Sequence, residues 1–166
     1  LGENGAGKST LLKALAGAQP QTRGEICFNS ETLPVDDSPV ERQNKGIITI
    51  YQEFNLLPNM TVAENMFLGR EPRKRNLIVD EKAVNQEAQV ILDYLQLNVA
   101  PTTPVARLSV AQQQMVEIAK AVSYNAKIIV FDEATSALDS ASEKKVQEAT
   151  SNMMKNCTTF LVAHRL

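Results

Sequence analysis

Residues 2–9 read Gly-Glu-Asn-Gly-Ala-Gly-Lys-Ser and match the pattern G-x-x-x-x-G-K-[ST]. The glycines let the backbone curl so that successive N–H groups point at one anion, and the helix predicted from Lys8 to Ala16 adds its positive end. Lys8 can reach the β- and γ-phosphates of a nucleotide, and the Ser9 hydroxyl can bind Mg²⁺. This stretch therefore predicts a nucleotide site at the start of an α/β core.

A second feature is an apolar strand that ends in two acids. Residues 128–131 read Ile-Ile-Val-Phe, and Asp132 and Glu133 follow directly. Ligands of open parallel sheets bind at the carboxyl ends of the strands, which is where these two side chains are expected. We predict that Asp132 holds the hydration shell of Mg²⁺, and that Glu133 orients and deprotonates an attacking water.

Strand and helix patterns alternate in the outer parts of the chain, and the middle is helix-rich. Strands are predicted at residues 24–29, 47–52, 127–131 and 158–163, with a turn-rich stretch between the first two. Helices are predicted to start at Thr61, Asp80, Ser109 and Ser140, and residues 55–108 contain no clear strand. The pattern indicates an α/β fold with a mostly parallel sheet, in which residues 1–54 and 124–166 form the core and 55–123 an inserted helical subdomain.

The composition sets limits on the partners. The chain has 166 residues and a net charge of −2, so there is no overall attraction to nucleic acid or anionic lipid. No apolar run approaches the roughly 18 residues of a membrane span, so membrane association is expected to go through a protein partner. One short basic run, Arg70, Arg73, Lys74 and Arg75, is interpreted as a solvated loop.

Two further expectations concern the cysteines and the ends of the chain. Cys27 and Cys157 have no metal-ligand spacing and are interpreted as reduced core thiols. Leu1 stands directly before the glycine loop, where a strand normally leads in, and the chain stops at Leu166 after an apolar run. Both ends are interpreted as cuts in a longer protein, which makes the core N-terminally truncated.

Several motifs further along the sequence resemble those of one protein family. Residues 108–112 read Leu-Ser-Val-Ala-Gln and resemble the signature motif of ABC transporter ATPases, which usually reads L-S-G-G-Q. Gln52 resembles the Q-loop glutamine of that family, residues 136–139 resemble its D-loop, and His164 stands where the family has its switch histidine. The marks follow the family's order along essentially the whole chain.

The resemblance implies that two such domains meet head to tail, with each ATP between the phosphate loop of one and the signature of the other. The residues expected to bind the nucleotide are Gly2, Asn4, Gly5, Ala6, Gly7, Lys8, Ser9, Thr10 and, acting on the partner's ATP, Ser109 and Gln112. The expected Mg²⁺ site consists of Ser9, Gln52 and Asp132. The residues expected to act in ATP hydrolysis are Glu133, His164, Lys8 and Gln52.

Residues 52–71 and 108–121 resemble the monosaccharide-importer branch of the family. This resemblance implies an ATPase that powers import of a small solute, peripheral on the cytoplasmic face of a bacterial inner membrane. Its implied partners are transmembrane permease subunits, a second ATPase domain that is commonly fused in the same chain, and indirectly a periplasmic solute-binding protein. No nucleic-acid partner is expected.

Three alternatives remain open. Residues 132–139 and 162–166 look more like exporter ATPases, which favours an exporter domain. Ala111 stands where the importer branch usually has glycine, and its methyl group would crowd the approach to the γ-phosphate. That departure favours a regulatory half that binds nucleotide and hydrolyses it weakly. A soluble ATPase of the same family acting on nucleic acid or ribosomes is disfavoured by the charge.

Overall fold

The computed structural model describes residues 7–50, 55–74, 78–132 and 158–162. The helices in these ranges are α1 (Lys8–Leu15), α2 (Pro39–Asn44), α3 (Val62–Phe67), α4 (Glu81–Tyr94) and α5 (Val110–Ser123), with a 3₁₀ turn at Val105–Arg107. The strands are β1 (Cys27–Phe28), β2 (Glu31–Thr32), β3 (Ile47–Ile50), β4 (Arg73–Lys74), β5 (Ile78–Val79), β6 (Ile128–Asp132) and β7 (Thr158–Val162). In the described ranges no helix has the length and apolar character needed to cross a bilayer.

A parallel sheet of order β3-β6-β7 forms the centre of the molecule. Ile47 pairs with Ile128, and Ile128 in turn pairs with Thr158, so the three strands begin level with one another. Ile129 and Val130 on the middle strand are fully buried. Strands were predicted at 127–131 and 158–163, and the structure confirms both elements as β6 and β7.

Helices α3, α4 and α5 share one apolar core with the sheet. Helix α4 buries Val84, Ala88 and Leu92, and α5 buries Ile118 and Ala119 completely. Ile48 and Ile50 of β3 belong to the same cluster. The helix starts predicted at Thr61, Asp80 and Ser109 are all confirmed, because each of these side chains accepts a hydrogen bond from a backbone N–H of its own first turn.

The turn-rich stretch after β2 contains a helix that the sequence reading missed. Ser38 caps α2 with a complete capping box: the Glu41 backbone N–H donates to Ser38 Oγ, and the Ser38 N–H donates to Glu41 Oε2. The carboxylate of Glu41 accepts from Ser38 side chain and backbone, and this lowers its pKa. The signal was present as Ser-Pro-Val-Glu, with proline at the first helical position.

Two short antiparallel hairpins were also missed. The strand predicted at 24–29 is only Cys27–Phe28, which pairs with Glu31–Thr32 across the turn residues Asn29 and Ser30, both at positive φ. Arg73–Lys74 pairs with Ile78–Val79 inside the stretch predicted to hold no clear strand. With two residues on each side, these strands are too short to show an alternating pattern.

Two predictions about individual side chains were wrong. Cys27 is exposed rather than a core thiol, whereas Cys157 lies outside the described residues. Arg70 is not part of a solvated loop: its guanidinium donates to the Met66 carbonyl and to Ser123, and lies 3.4 Å from the centre of the Tyr124 ring. Arg73 and Lys74 are exposed, as predicted.

The end of α1 is packed tightly against the entrance to α2. Gly17 has φ +72°, and a Cβ there would lie 2.7 Å from the Asp37 carbonyl oxygen and 2.8 Å from Cγ of Arg42. Arg42 is buried, donates to the Pro34 carbonyl at 2.8 Å and pairs with Asp37 at 3.3 Å. Only glycine fits at position 17, since any side chain would be strained by φ and would meet backbone atoms.

Candidate functional site

The N-terminus of α1 offers backbone donors suited to an anion. Gly7 is the residue before the helix, with φ 79° and ψ 12°, and as a glycine it has no side chain with which to cap this end. The first turn contains no acidic residue, and the Leu11 N–H already bonds to the Gly7 carbonyl at 2.9 Å. The N–H groups of Lys8, Ser9 and Thr10 precede that first bond, so they are the donors that a helix start offers to a phosphate.

Helix α1 lies next to the strand that ends in Asp132. Helix α1 packs against β6, the middle strand of the parallel sheet. Strand β6 ends at Asp132, and Glu133 is the next residue in the sequence. Helix and strand thus belong to one packed unit, as a shared nucleotide site requires.

The three neighbouring strands end side by side. Ile50, the last residue of β3, pairs with Phe131, and Val162, the last of β7, pairs with Asp132. Gln52 follows Ile50 by two positions and His164 follows Val162 by two. The chain therefore leaves all three strands at the same edge of the sheet, immediately before Gln52, Glu133 and His164.

Seven of the predicted site residues lie outside the described part of the structure: Gly2, Asn4, Gly5, Ala6, Gln52, Glu133 and His164. The described ones fall into two groups. Gly7, Lys8, Ser9, Thr10 and Asp132 belong to the α1–β6 unit, and Ser109 and Gln112 form the start of α5.

The signature residues form a second open helix start. The Gln112 N–H donates to Ser109 Oγ at 3.3 Å, and the Ser109 N–H donates to Gln112 Oε1 at 2.9 Å. These two bonds form a complete capping box at the helix start predicted at Ser109. The side chain of Ser109 is exposed, and no acidic residue lies in the first turn of α5. The end can therefore present positive potential and a hydroxyl to an anion from another molecule.

One functional candidate was missed by the sequence reading. Glu117, two turns into α5, accepts a hydrogen bond from the Asn55 backbone N–H at 2.7 Å. Burial raises the pKa of this carboxyl, while Lys120 and the Asn55 N–H act in the opposite direction. The two residues are 62 positions apart, so no local pattern could reveal the contact.

The loop that follows Asn55 is held by a buried asparagine. Asn65, fully buried in α3, accepts from the Leu57 N–H at 2.7 Å and donates to the Leu57 carbonyl at 3.0 Å and the Thr61 carbonyl at 2.9 Å. These contacts satisfy backbone groups that regular secondary structure leaves unpaired. The described part of the loop before α3 is consequently held at two points, at Asn55 and at Leu57.

Oxygen donors suited to Mg²⁺ are present in the predicted set. A serine hydroxyl, a glutamine amide oxygen and an aspartate carboxylate are hard ligands that Mg²⁺ prefers. The start of α1, with Gly7 before it and no acidic residue in its first turn, fits the anionic part of a magnesium nucleotide. The residues present thus fit the nucleotide and the ion that the sequence predicts.

Curated proteins similar to this chain include sugar import ATP-binding proteins. A ribose import ATP-binding protein of Rhodopirellula baltica is 45% identical over the whole of this chain, and an arabinose import ATP-binding protein of Escherichia coli O6:H1 is 44% identical over the whole chain. The chain spans 32% and 33% of the length of these two relatives.

Solved structures show the same fold. An ATP-binding cassette of an ABC transporter in its ADP conformation matches with a TM-score of 0.80 at 28% identity, covering 100% of this chain and 69% of that one. A nucleotide-free ATP-binding cassette matches with a TM-score of 0.79 at 27% identity, covering 99% of this chain and 68% of that one. The family model described as ABC transporter matches residues 1–136. The chain therefore belongs to the ABC transporter family, as part of its P-loop ATPase cassette.

Proposed function

We propose that this chain is the core of an ATP-hydrolysing subunit that powers import of a small solute, in particular a monosaccharide. The observation that carries the proposal is the match to ribose and arabinose import ATP-binding proteins along the entire chain, at 45% and 44% identity. The backbone donors at the start of α1 and the shared edge at the end of β3, β6 and β7 support it, because they offer one place for a magnesium nucleotide.

Within this proposal each group of site residues has its own role. The phosphates are bound by Gly5, Gly7, Lys8, Ser9 and Thr10, and the loop is completed by Gly2, Asn4 and Ala6. The ligands of Mg²⁺ are Ser9, Gln52 and Asp132. When bound, Mg²⁺ neutralises charge on the phosphates. Glu133 accepts a proton from the attacking water, and His164 contacts the γ-phosphate. Ser109 and Gln112 reach the ATP of a second ATPase domain.

The proposal extends to domains and partners. Residues 1–54 and 124–166 form the ATPase core, and 55–123 form the helical subdomain that faces a membrane-spanning permease. The subunit sits peripherally at the cytoplasmic face of the bacterial inner membrane. It pairs head to tail with another ATPase domain, and a periplasmic solute-binding protein delivers the sugar on the other side.

The test is transport by the full-length protein reconstituted with its permease in vesicles that contain a trapped ATP-regenerating system. We expect that solute-binding protein loaded with ribose, galactose or arabinose raises ATP hydrolysis, and that the labelled sugar enters the compartment that holds ATP. Movement of the sugar away from that compartment would indicate an exporter and contradict the proposal. Tight ATP binding with no sugar-stimulated turnover would instead support the regulatory alternative, which Ala111 favours.

A further inference from the structure

The fully buried side chain of Asn65 organises the turn formed by residues 57–60, just before α3. Its Nδ2 donates to the Leu57 carbonyl at 3.0 Å and to the Thr61 carbonyl at 2.9 Å, with a longer contact of 3.5 Å to the Met60 carbonyl. Its Oδ1 accepts from the Leu57 N–H at 2.7 Å. The Met60 N–H closes the turn on the Leu57 carbonyl at 3.1 Å. One side chain is therefore bonded to both ends of the turn.

The same turn holds the segment that leads to the signature. The Val105 N–H donates to the Met60 carbonyl at 3.0 Å, and the Ala106 N–H donates to the Pro58 carbonyl at 2.9 Å. Ser109 follows Ala106 by three positions, which is at most about 11 Å of chain. The turn thus fixes the chain shortly before it reaches the start of α5.

The short connection to Ser109 is itself buried and hydrogen-bonded. Val105 and Leu108 are buried, and the Leu108 N–H donates to the Val105 carbonyl at 3.0 Å. Nε2 of Gln113 donates to the Leu108 carbonyl at 3.1 Å. Ser109 is the next residue and caps α5. Because closely packed interiors transmit strain, we expect a shift of the turn to be passed on to Ser109.

Asn65 is an exception among the buried residues of α3. The others are all apolar: Val62, Ala63, Met66 and Phe67. Burial of an amide side chain is unfavourable unless hydrogen bonds compensate for it, and here the compensating bonds go to the backbone of residues 57–61. The amide therefore serves the path of the turn rather than the packing of the core.

We propose that Asn65 is a positioning residue for ATP hydrolysis, which sets the place of Ser109 through the turn at residues 57–60. It does not touch nucleotide, and it acts only through the backbone of the turn and of the segment before the signature. The inference rests on the proposed function, in which Ser109 reaches the ATP of a second ATPase domain. It goes further by naming a buried group on which that placement depends.

The test is a double-mutant cycle in the full-length protein, with turnover measured as phosphate release. Asn65→Ala removes every side-chain bond to the turn, and Ser109→Ala removes the hydroxyl on which Asn65 is proposed to act. A misplacement of about 1 Å can slow a reaction by about 10²-fold, so Asn65→Ala alone is expected to lower kcat at least about tenfold. In the Ser109→Ala background the same substitution should have little further effect, because residues that act as a unit are not additive.

Asn59→Ala is the matched control, since Asn59 is an exposed asparagine in the same turn. It should leave kcat unchanged in both backgrounds. Binding of labelled ATP should persist in Asn65→Ala, because the phosphate loop is intact. If Asn65→Ala does not fold, Asn65→Asp replaces it in every measurement; it keeps an oxygen for the Leu57 N–H and loses the amide donors.

A second readout needs no turnover. Hydrogen exchange at the Val105 and Ala106 amides is expected to become faster in Asn65→Ala and to stay at the wild-type rate in Asn59→Ala. The amides of Leu95 and Leu97, which bond within the end of α4, should exchange as in wild type in both variants. This pattern would locate the change at the segment before the signature.

Three results would overturn the inference. One is an equal fold loss of kcat from Asn65→Ala in the wild-type and Ser109→Ala backgrounds, which would mean that Asn65 only stabilises the fold. Another is a wild-type kcat in folded Asn65→Ala, and the third is unchanged exchange at Val105 and Ala106. Failure of the proposed function looks different, because wild-type protein would then hydrolyse no ATP, whereas exchange would still report whether Asn65 holds the turn.

Discussion

Replacing Glu133 by glutamine is expected to lower ATP turnover of the full-length protein at least about a hundredfold, because a positioned general base typically contributes 10²- to 10⁴-fold. Glutamine has the same shape and cannot accept a proton from water. ATP binding should persist, since the phosphate loop and Asp132 are unchanged. The rate is measured as phosphate release at saturating Mg²⁺ and ATP, and binding as retention of labelled ATP.

The control for this substitution is Glu87→Gln, the same chemical change on an exposed position of α4. Its turnover should equal that of wild type. Equal rates in Glu133→Gln and wild type would contradict the assignment of Glu133 as the base. Loss of ATP binding together with turnover would show that Glu133 contributes to binding instead.

Lys8→Ala is expected to weaken ATP binding and to slow ATP hydrolysis. Lys8 is the first residue of α1, and the lysine of the G-x-x-x-x-G-K-[ST] pattern is expected to contact the β- and γ-phosphates. A hydrogen bond to a charged group contributes about 1.5–3 kcal/mol, so ATP affinity should fall by at least about tenfold. The lysine donor would also stabilise the negative charge that develops on the phosphates during hydrolysis. Its removal should therefore lower turnover by a further factor of roughly 10² or more, which is the typical effect of removing one oxyanion-hole donor.

Lys13→Ala is the matched control for Lys8, since Lys13 is an exposed lysine in the last turn of the same helix. It should leave both ATP affinity and turnover unchanged. Affinity is measured by titration with labelled ATP, and turnover by phosphate release. Comparable losses in both lysine variants would mean that α1 is only a structural helix, and would remove the phosphate loop from the site.

Much of the fold follows from local signals in the sequence. Thr61 and Ser109 start helices because a side-chain oxygen bonds to a backbone N–H three residues later, a pattern visible without any tertiary information. The apolar run before Asp132 predicts a strand covered on both faces, and Ile129 and Val130 in that strand are fully buried. Such features depend on nearest neighbours in the chain, so a single sequence is sufficient to predict them.

Other features depend on contacts that only the folded chain creates. Glu117 acquires its raised pKa and its bond to Asn55 from packing across 62 positions. The Arg70 guanidinium is held by Ser123 and Tyr124 at the C-terminal end of α5. The basic run in the sequence gives no sign of these contacts. The helix that starts at Ser38 differs from these, because its capping box is visible in the sequence. The neighbouring prolines and aspartates favoured a turn-rich interpretation instead.

The most direct test is a crystal structure of the full-length protein with Mg²⁺ and a non-hydrolysable ATP analogue. We expect one Mg²⁺ at about 2.1 Å from Ser9 Oγ, with the Asp132 carboxylate hydrogen-bonded to water in the coordination shell of that ion. The triphosphate should lie across the start of α1. A structure in which Asp132 is too far away to share a water with the ion bound at Ser9 would contradict the common nucleotide site from which every assignment above follows.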